Sequence, residues 1–178
     1  MSRVTDKEFF DIEVAAGITP ENPDYYNLMD ATANIISEYA RTVIEIGAGM
    51  GTLGECLEKR RINYYGIEPN KYHQEYAYKR GVILHDITDY PNYCQMIVSI
   101  EVLEHLTDEQ IIDYMSNINC QYFLFSSTPY FTTLEQDEAW GHINIKSEDE
   151  WIKLFSKFKF KLDKKLTIPT EWSLLFKK

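Results

Sequence analysis

Thr42–Leu57 reads TVIEIGAGMGTLGECL, and this stretch decides the fold. A run of strand-forming residues through Ile46 stops at Gly47-Ala48-Gly49-Met50-Gly51, and a helical pattern follows from Thr52 to Lys59. Glycines at such a strand-to-helix turn let the backbone reverse sharply. They also let a ligand lie against the N–H groups of the helix N-terminus, where a Cβ would clash. The stretch reads as a loop for a nucleotide-type cofactor.

The 178 residues suffice for one domain with a buried core. A composition of 44% hydrophobic and 26% charged residues is globular rather than disordered. The net charge of -10 argues against a broad polyanion-binding surface, because neutralising phosphates needs an excess of Lys and Arg. The basic cluster at Lys157, Lys159, Lys161, Lys164 and Lys165 alternates with Phe158, Phe160 and Leu162, as the solvated face of an edge strand would. The N-terminus lacks a basic region followed by an apolar core, and no apolar run is long enough to span a membrane. Cys56, Cys94 and Cys120 have no CxxC spacing and read as reduced core residues of a cytoplasmic protein.

Outward from the glycine loop, strand-like and helical runs alternate, the signature of parallel α/β architecture. Strands are expected near 42–46, 63–68, 82–84, 94–100 and 121–127, and helices near 52–61, 70–80, 107–118 and 147–157. Thr107 or Asp108 caps the third helix, and Ser147 with Glu150 forms a capping box on the fourth. The end reads as an antiparallel hairpin, about 158–166 and 171–177, turning at Pro169. Before Thr42 come a short helix closed by Gly17 and a longer one capped by Asn22-Pro23. The expectation is one domain over 1–178, a doubly wound, Rossmann-like, seven-stranded, mostly parallel sheet with helices on both faces. Residues 1–40 form a helical cover and 41–178 the core. In such sheets ligands bind beyond the carboxyl ends of the strands.

A dinucleotide fingerprint counted from Gly47 fails, because Thr52 stands where the third glycine belongs. Counted from Gly49 it matches through Gly51 and Gly54, but begins beyond the strand end. Two acids point elsewhere: Glu45 inside the strand, and Glu68 ending the next one in Tyr65-Gly66-Ile67-Glu68-Pro69-Asn70. Glu45-Ile46-Gly47-Ala48-Gly49-Met50-Gly51 resembles the first motif of the class I S-adenosylmethionine-dependent methyltransferases, acid-x-Gly-x-Gly-x-Gly. The likeness continues through His85-Asp86-Ile87, Ser99-Ile100-Glu101-Val102-Leu103-Glu104-His105-Leu106 and Phe123 to Pro129, covering about Thr42 to Phe176. It departs at Gln95, where relatives often carry an aspartate.

The resemblance implies S-adenosyl-L-methionine as cofactor and methyl transfer as the reaction. Gly47, Ala48, Gly49 and Gly51 would admit the methionine moiety, with Glu45 at its amino end. Glu68 would accept from both ribose hydroxyls, Pro69 or Asn70 would lie against adenine, and Asp86 with Ile87 would bind its amino group and face. Ser99 and Glu101 complete the implied cofactor set. His105 is a candidate general base, with Glu101 and His142 beside it. No resident metal is expected. Glu101, Glu104, His105 and His142 nevertheless resemble the metal-ligand set of the small-RNA 3′-end 2′-O-methyltransferases, a second reading that the acidic charge opposes. Tyr25, Tyr26, Tyr130, Trp140 and His142 are candidate substrate walls, with Thr128–Lys146 as a lid. The expected acceptor is an oxygen or nitrogen of a small molecule, sugar or lipid-like metabolite, with no nucleic-acid partner. A nicotinamide-dependent reductase and a non-catalytic binding module are the competing classes.

Overall fold

The computed structural model describes residues 5–86, 91–128, 133 and 139–178. Among the described residues, seven strands make a mixed Rossmann-like sheet, parallel with an antiparallel C-terminal hairpin. The chain divides into two compact units, Met1–Tyr90 and Pro91–Lys178.

The first unit opens with α1 (Asp6–Ala15), whose N-terminus is closed by a capping box between Thr5 and Glu8. Gly17, with φ +75°, ends the turn that follows, as its left-handed conformation requires. Helix α2 (Pro23–Ser37) starts at the Asn22 cap, with proline in the first turn, where its missing N–H costs nothing. Strand β1 (Thr42–Ile46), helix α3 (Thr52–Lys59), strand β2 (Asn63–Ile67), helix α4 (Lys71–Lys79) and the short strand β3 (Leu84–His85) complete it. The strands run in the order β3-β2-β1, all parallel. Arg60 at the end of α3 clamps α2 through Asp30 and Asn34, at 2.7–2.9 Å.

In the second unit β4 (Met96–Ile100) leads into a 3₁₀ turn (Leu103–His105) and α5 (Asp108–Asn117), then β5 (Tyr122–Ser126), α6 (Glu148–Ser156), β6 (Lys161–Leu166) and β7 (Ser173–Lys177). The order is β4-β5-β7-β6, with β5 parallel to β4 and β7 antiparallel to both β5 and β6. Thr107–Gln110 and Ser147–Glu150 form the capping boxes of α5 and α6. Phe123 of β5 packs on Phe155 at 4.9 Å, and Phe125 on Trp151 at 5.0 Å, all four essentially buried. Losing such a ring to alanine costs about 3–5 kcal/mol. All five lysines from Lys157 to Lys165 are exposed, and the pairing of β6 with β7 is shifted between Leu162 and Lys164. Both features blunt an edge strand.

The elements fall within a few residues of their expected places, with β3 shifted to Leu84–His85. Cys56, Cys94 and Cys120 are buried thiols. Among the described residues, no helix is long and apolar enough to cross a membrane.

Candidate active site

In the first unit β1 and β2 lie in register, Ile46 against Ile67, so their carboxyl ends coincide. That register brings the glycine loop to Glu68. Gly47 and Ala48 N–H groups donate to Ile67 O at 2.9 and 3.0 Å, and Gly49 N–H donates to Glu68 Oε2 at 2.9 Å. The second carboxylate oxygen, Oε1, accepts from Asn70 N at 2.9 Å. A carboxylate has about four acceptor directions, so two such bonds leave capacity for a vicinal diol.

The glycines do different work. Gly47, Gly49 and Gly51 all have positive φ, at 74°, 52° and 75°. A Cβ on Gly49 would meet nothing within 4 Å, whereas one on Gly51 would lie 3.0 Å from Val82 Cγ1. Gly49 therefore faces open space and Gly51 serves packing. Gly54 belongs to neither group: a Cβ there would lie 2.4 Å from the Tyr64 ring, and one on Gly66 would lie 2.4 Å from the Tyr64 hydroxyl. The formal glycine match that ends at Gly54 reflects passage of this ring rather than a dinucleotide.

Tyr64 passes those two glycines to donate its hydroxyl to Glu45 Oε2 at 2.5 Å. Sequence reading missed Tyr64, whose path past Gly54 is set by the packing of α3 on β2. Glu45 is 4% exposed, and its pKa is pushed up to about 8, by burial first, against the Tyr64 bond and with help from the charge of Glu68. Tyr25 joins this group: burial, then the charges of Glu45 and Glu13, raise its pKa. Tyr26 goes elsewhere, its hydroxyl accepting from Lys59 Nζ of α3 at 2.7 Å.

Pro69 is exposed, whereas the Asn70 side chain is engaged, capping α4 through Tyr72 N at 3.0 Å and donating to Asp6 O at 2.8 Å. Gln74, also missed, donates to Glu68 O at 2.6 Å and to Asp86 Oδ1 at 3.2 Å. Ile87 and Tyr130 lie outside the described residues.

In the second unit Glu101 follows β4 with φ +53°. Its Oε1 accepts from Trp172 Nε1 at 2.9 Å and from the Ser126 hydroxyl, and its Oε2 accepts from Thr128 N and Oγ1 at 3.0 and 2.7 Å. Trp172 arrives because β7 is antiparallel to β5 and so begins where β5 ends. That pairing, not any local motif, selects the residue.

Glu104, in the 3₁₀ turn, has 0% exposure, and neither carboxylate oxygen has a hydrogen-bond partner among the described residues. Its pKa is raised to about 8, by burial and then by the charge of Glu101. Glu104 O accepts from Ile143 N and Asn144 N, each at 2.9 Å, which fastens 143–144 to the turn. This brings His142 to His105, ring centroids 4.9 Å apart, while His105 Nδ1 lies 3.4 Å from Gly141 O. Burial, then the neighbouring His142, lowers the His105 pKa to about 4. Ligand atoms of Glu104, His105 and His142 all lie within 4.8 Å of one another. A buried carboxyl group with two imidazoles is a donor set suited to a divalent cation. Ser99 Oγ is buried without a partner among the described residues, and Trp140 is half-buried.

A family model described as a methyltransferase domain matches residues 22–165. No curated protein sequence matches the chain. Solved structures with the same fold include magnesium protoporphyrin IX methyltransferase from Synechocystis PCC 6803 with bound S-adenosylhomocysteine, 14% identical, covering 85% of this chain and 81% of that one, TM-score 0.62. The mitomycin 7-O-methyltransferase is 16% identical over 88% of this chain and 57% of that one, TM-score 0.58. The methyltransferase domain of a bacterial Hen1 is 17% identical over 85% and 96%, TM-score 0.59. With that family model matched over most of its length, the chain belongs to the methyltransferase-domain family.

Proposed function

We propose that this chain, acting as one methyltransferase domain, transfers a methyl group from S-adenosylmethionine to an oxygen or nitrogen of a small molecule, sugar or lipid-like metabolite. The Gly49–Glu68 hydrogen bond of 2.9 Å carries the reading, because it sets an acceptor carboxylate beside a glycine that faces open space. In this reading Glu68 takes the ribose hydroxyls, and Pro69 and Asp86 with Ile87 take the adenine. Glu45 and Tyr25 lie at the methionine end. The bound sulfonium supplies its own leaving group, so the protein has to align the acceptor, exclude water and take a proton. His105, neutral near pH 7, is the group that takes it. Glu101, held by four donors, positions the turn that carries His105.

Calorimetric titration with S-adenosylhomocysteine, followed by labelled-methyl transfer to a panel of hydroxyl and amine acceptors, tests this. Absence of binding would refute the cofactor assignment. Binding without transfer to any acceptor would favour a non-catalytic module.

The Glu104–His105–His142 cluster favours a second reading, a divalent-metal site that holds the terminal ribose hydroxyls of an RNA 3′ end. Those three residues would hold the ion, which would supply Lewis-acid polarisation of a hydroxyl. Against it stand the engagement of Glu101 by four other donors and the net charge of -10. Transfer that persists after thorough chelation excludes it.

A further inference from the structure

His73 is a buried histidine of α4 that the methyl-transfer chemistry does not use. It is 1% exposed, with Nε2 2.6 Å from Glu13 Oε2 of α1 and Nδ1 3.6 Å from Glu68 Oε1. Nε2 meets Glu13 off the ideal hydrogen-bond direction and Nδ1 lies beyond hydrogen-bond distance of Glu68, so both contacts act as ion pairs. Phe9 and Phe10 of α1 close around it, with centroids at 6.2 and 5.3 Å.

Helix α1 buries none of its own residues fully, so no core side chain anchors it. Polar links do part of that work. The Asn70 side chain donates to Asp6 O at 2.8 Å, and Glu13 reaches His73. Both links end on the segment that carries Glu68. Asn70 N–H donates to Glu68 Oε1, the oxygen that faces His73.

We propose that His73 is a positioning residue for the cofactor's ribose, pinning the Glu68 carboxylate and latching α1 to it through Glu13. This rests on the cofactor reading above and adds to it a coupling between site occupancy and the docking of α1.

The charges facing His73 are Glu13 from α1 and Glu68 from the end of β2, and the rings of Phe9 and Phe10 contribute none. The charge of Glu13 also acts on Tyr25 of α2. Burial pulls the imidazole down, but Glu13 and then Glu68 outweigh it and hold its pKa up to about 9. His73 is therefore an imidazolium at neutral pH, with an N–H on each side. Because its folded pKa lies above the ordinary value near 6.5, the latch is complete below that value and is lost as pH rises through about 9.

The test compares wild type, His73→Gln and Glu13→Gln. Affinity for S-adenosylhomocysteine is measured by calorimetry between pH 6.5 and 10, and amide exchange of α1 is followed with and without it. Wild type should bind less tightly above pH 9, and ligand should slow exchange in α1. His73→Gln should bind about tenfold more weakly at neutral pH, as expected on losing a charge-assisted contact, with a flattened pH profile. Its α1 exchange should be fast and insensitive to ligand. Glu13→Gln, which leaves the imidazole in place, should also release α1 and serves should His73→Gln fold poorly. A wild-type affinity and pH profile in His73→Gln, or ligand protection of α1 persisting in Glu13→Gln, overturns the proposal alone. Wild type failing to bind S-adenosylhomocysteine overturns the cofactor reading and this one together.

Discussion

Gly49 and Glu68 stand nineteen positions apart in the chain, yet the Gly49 N–H donates to Glu68 Oε2 at 2.9 Å. The register of parallel β1 and β2 makes the contact, since Ile46 lies against Ile67 and each strand's exit loop starts at the same level. Replacing Glu68 with alanine should weaken S-adenosylhomocysteine binding by about 2–3 kcal/mol, the scale of lost charge-assisted hydrogen bonds. Unchanged affinity in calorimetry would displace the ribose from this carboxylate.

The glycines separate binding from folding. Gly49→Ala should cost about 1–2 kcal/mol of stability through its left-handed backbone and, with its Cβ in open space, lose cofactor affinity out of proportion. Gly54→Ala should do the reverse, because its Cβ would lie 2.4 Å from the Tyr64 ring. Melting and calorimetry on both variants check the contrast.

Glu45 gives the ligand-free protein a pH signature. Its folded pKa of about 8 lies above the unfolded value near 4.5. Between those values the folded state holds a proton that the unfolded state has lost, so stability falls as pH rises through that window and levels off above it. Glu45→Gln keeps an acceptor for Tyr64 and should recover up to a few kcal/mol at pH 8, where the wild-type loss is largest. Melting curves across the window decide, and parallel pH profiles for the two proteins would count against the buried neutral carboxyl. Glu104 shares the sign of this effect, so the recovery is partial.

Divalent cations probe the second unit. If Glu104, His105 and His142 hold an ion, Mn²⁺ should raise the melting temperature by several degrees, as ligands bound only to the folded state do. Both Glu104→Gln and His142→Ala should abolish the rise. A melting temperature indifferent to Mn²⁺ in wild type assigns the cluster to proton chemistry instead.

Trp172→Phe removes one of the four donors on Glu101 while keeping an aromatic ring. It should cost about 1–2 kcal/mol of stability and lower turnover with little change in cofactor affinity. An equal loss in affinity would mean that Glu101 acts on the cofactor rather than on the turn carrying His105.

Local signals make most of the fold legible in the sequence. The Asn22, Thr107 and Ser147 caps, the Gly17 stop and the glycine loop depend on chemistry within four residues, and each appears where its motif stands. The Thr5–Glu8 capping box is an equally local signal that sequence reading missed. Tyr25 and Tyr26 show the limit. They are adjacent with identical side chains, yet burial and then the charges of Glu45 and Glu13 act on one, and the other accepts from Lys59. Adjacent residues on a helix point about 100° apart, and the packing of α2 on α3 gives the two side chains different surroundings.

The sequence by itself determined the strand–glycine–helix unit, the acids at Glu45 and Glu68 and the order of elements, because periodicity, capping and backbone conformation act over short chain distances. Tertiary structure alone decided that Tyr64 threads past Gly54 and Gly66 to Glu45, that Trp172 reaches Glu101, and that His73 joins α1 to Glu68. Tyr64 and Glu45 are 19 positions apart and Trp172 and Glu101 are 71, while His73 meets Glu13 from another helix. Strand register, the antiparallel return of β7 and the docking of α1 on α4 bring them together, and none of these is written in a local motif.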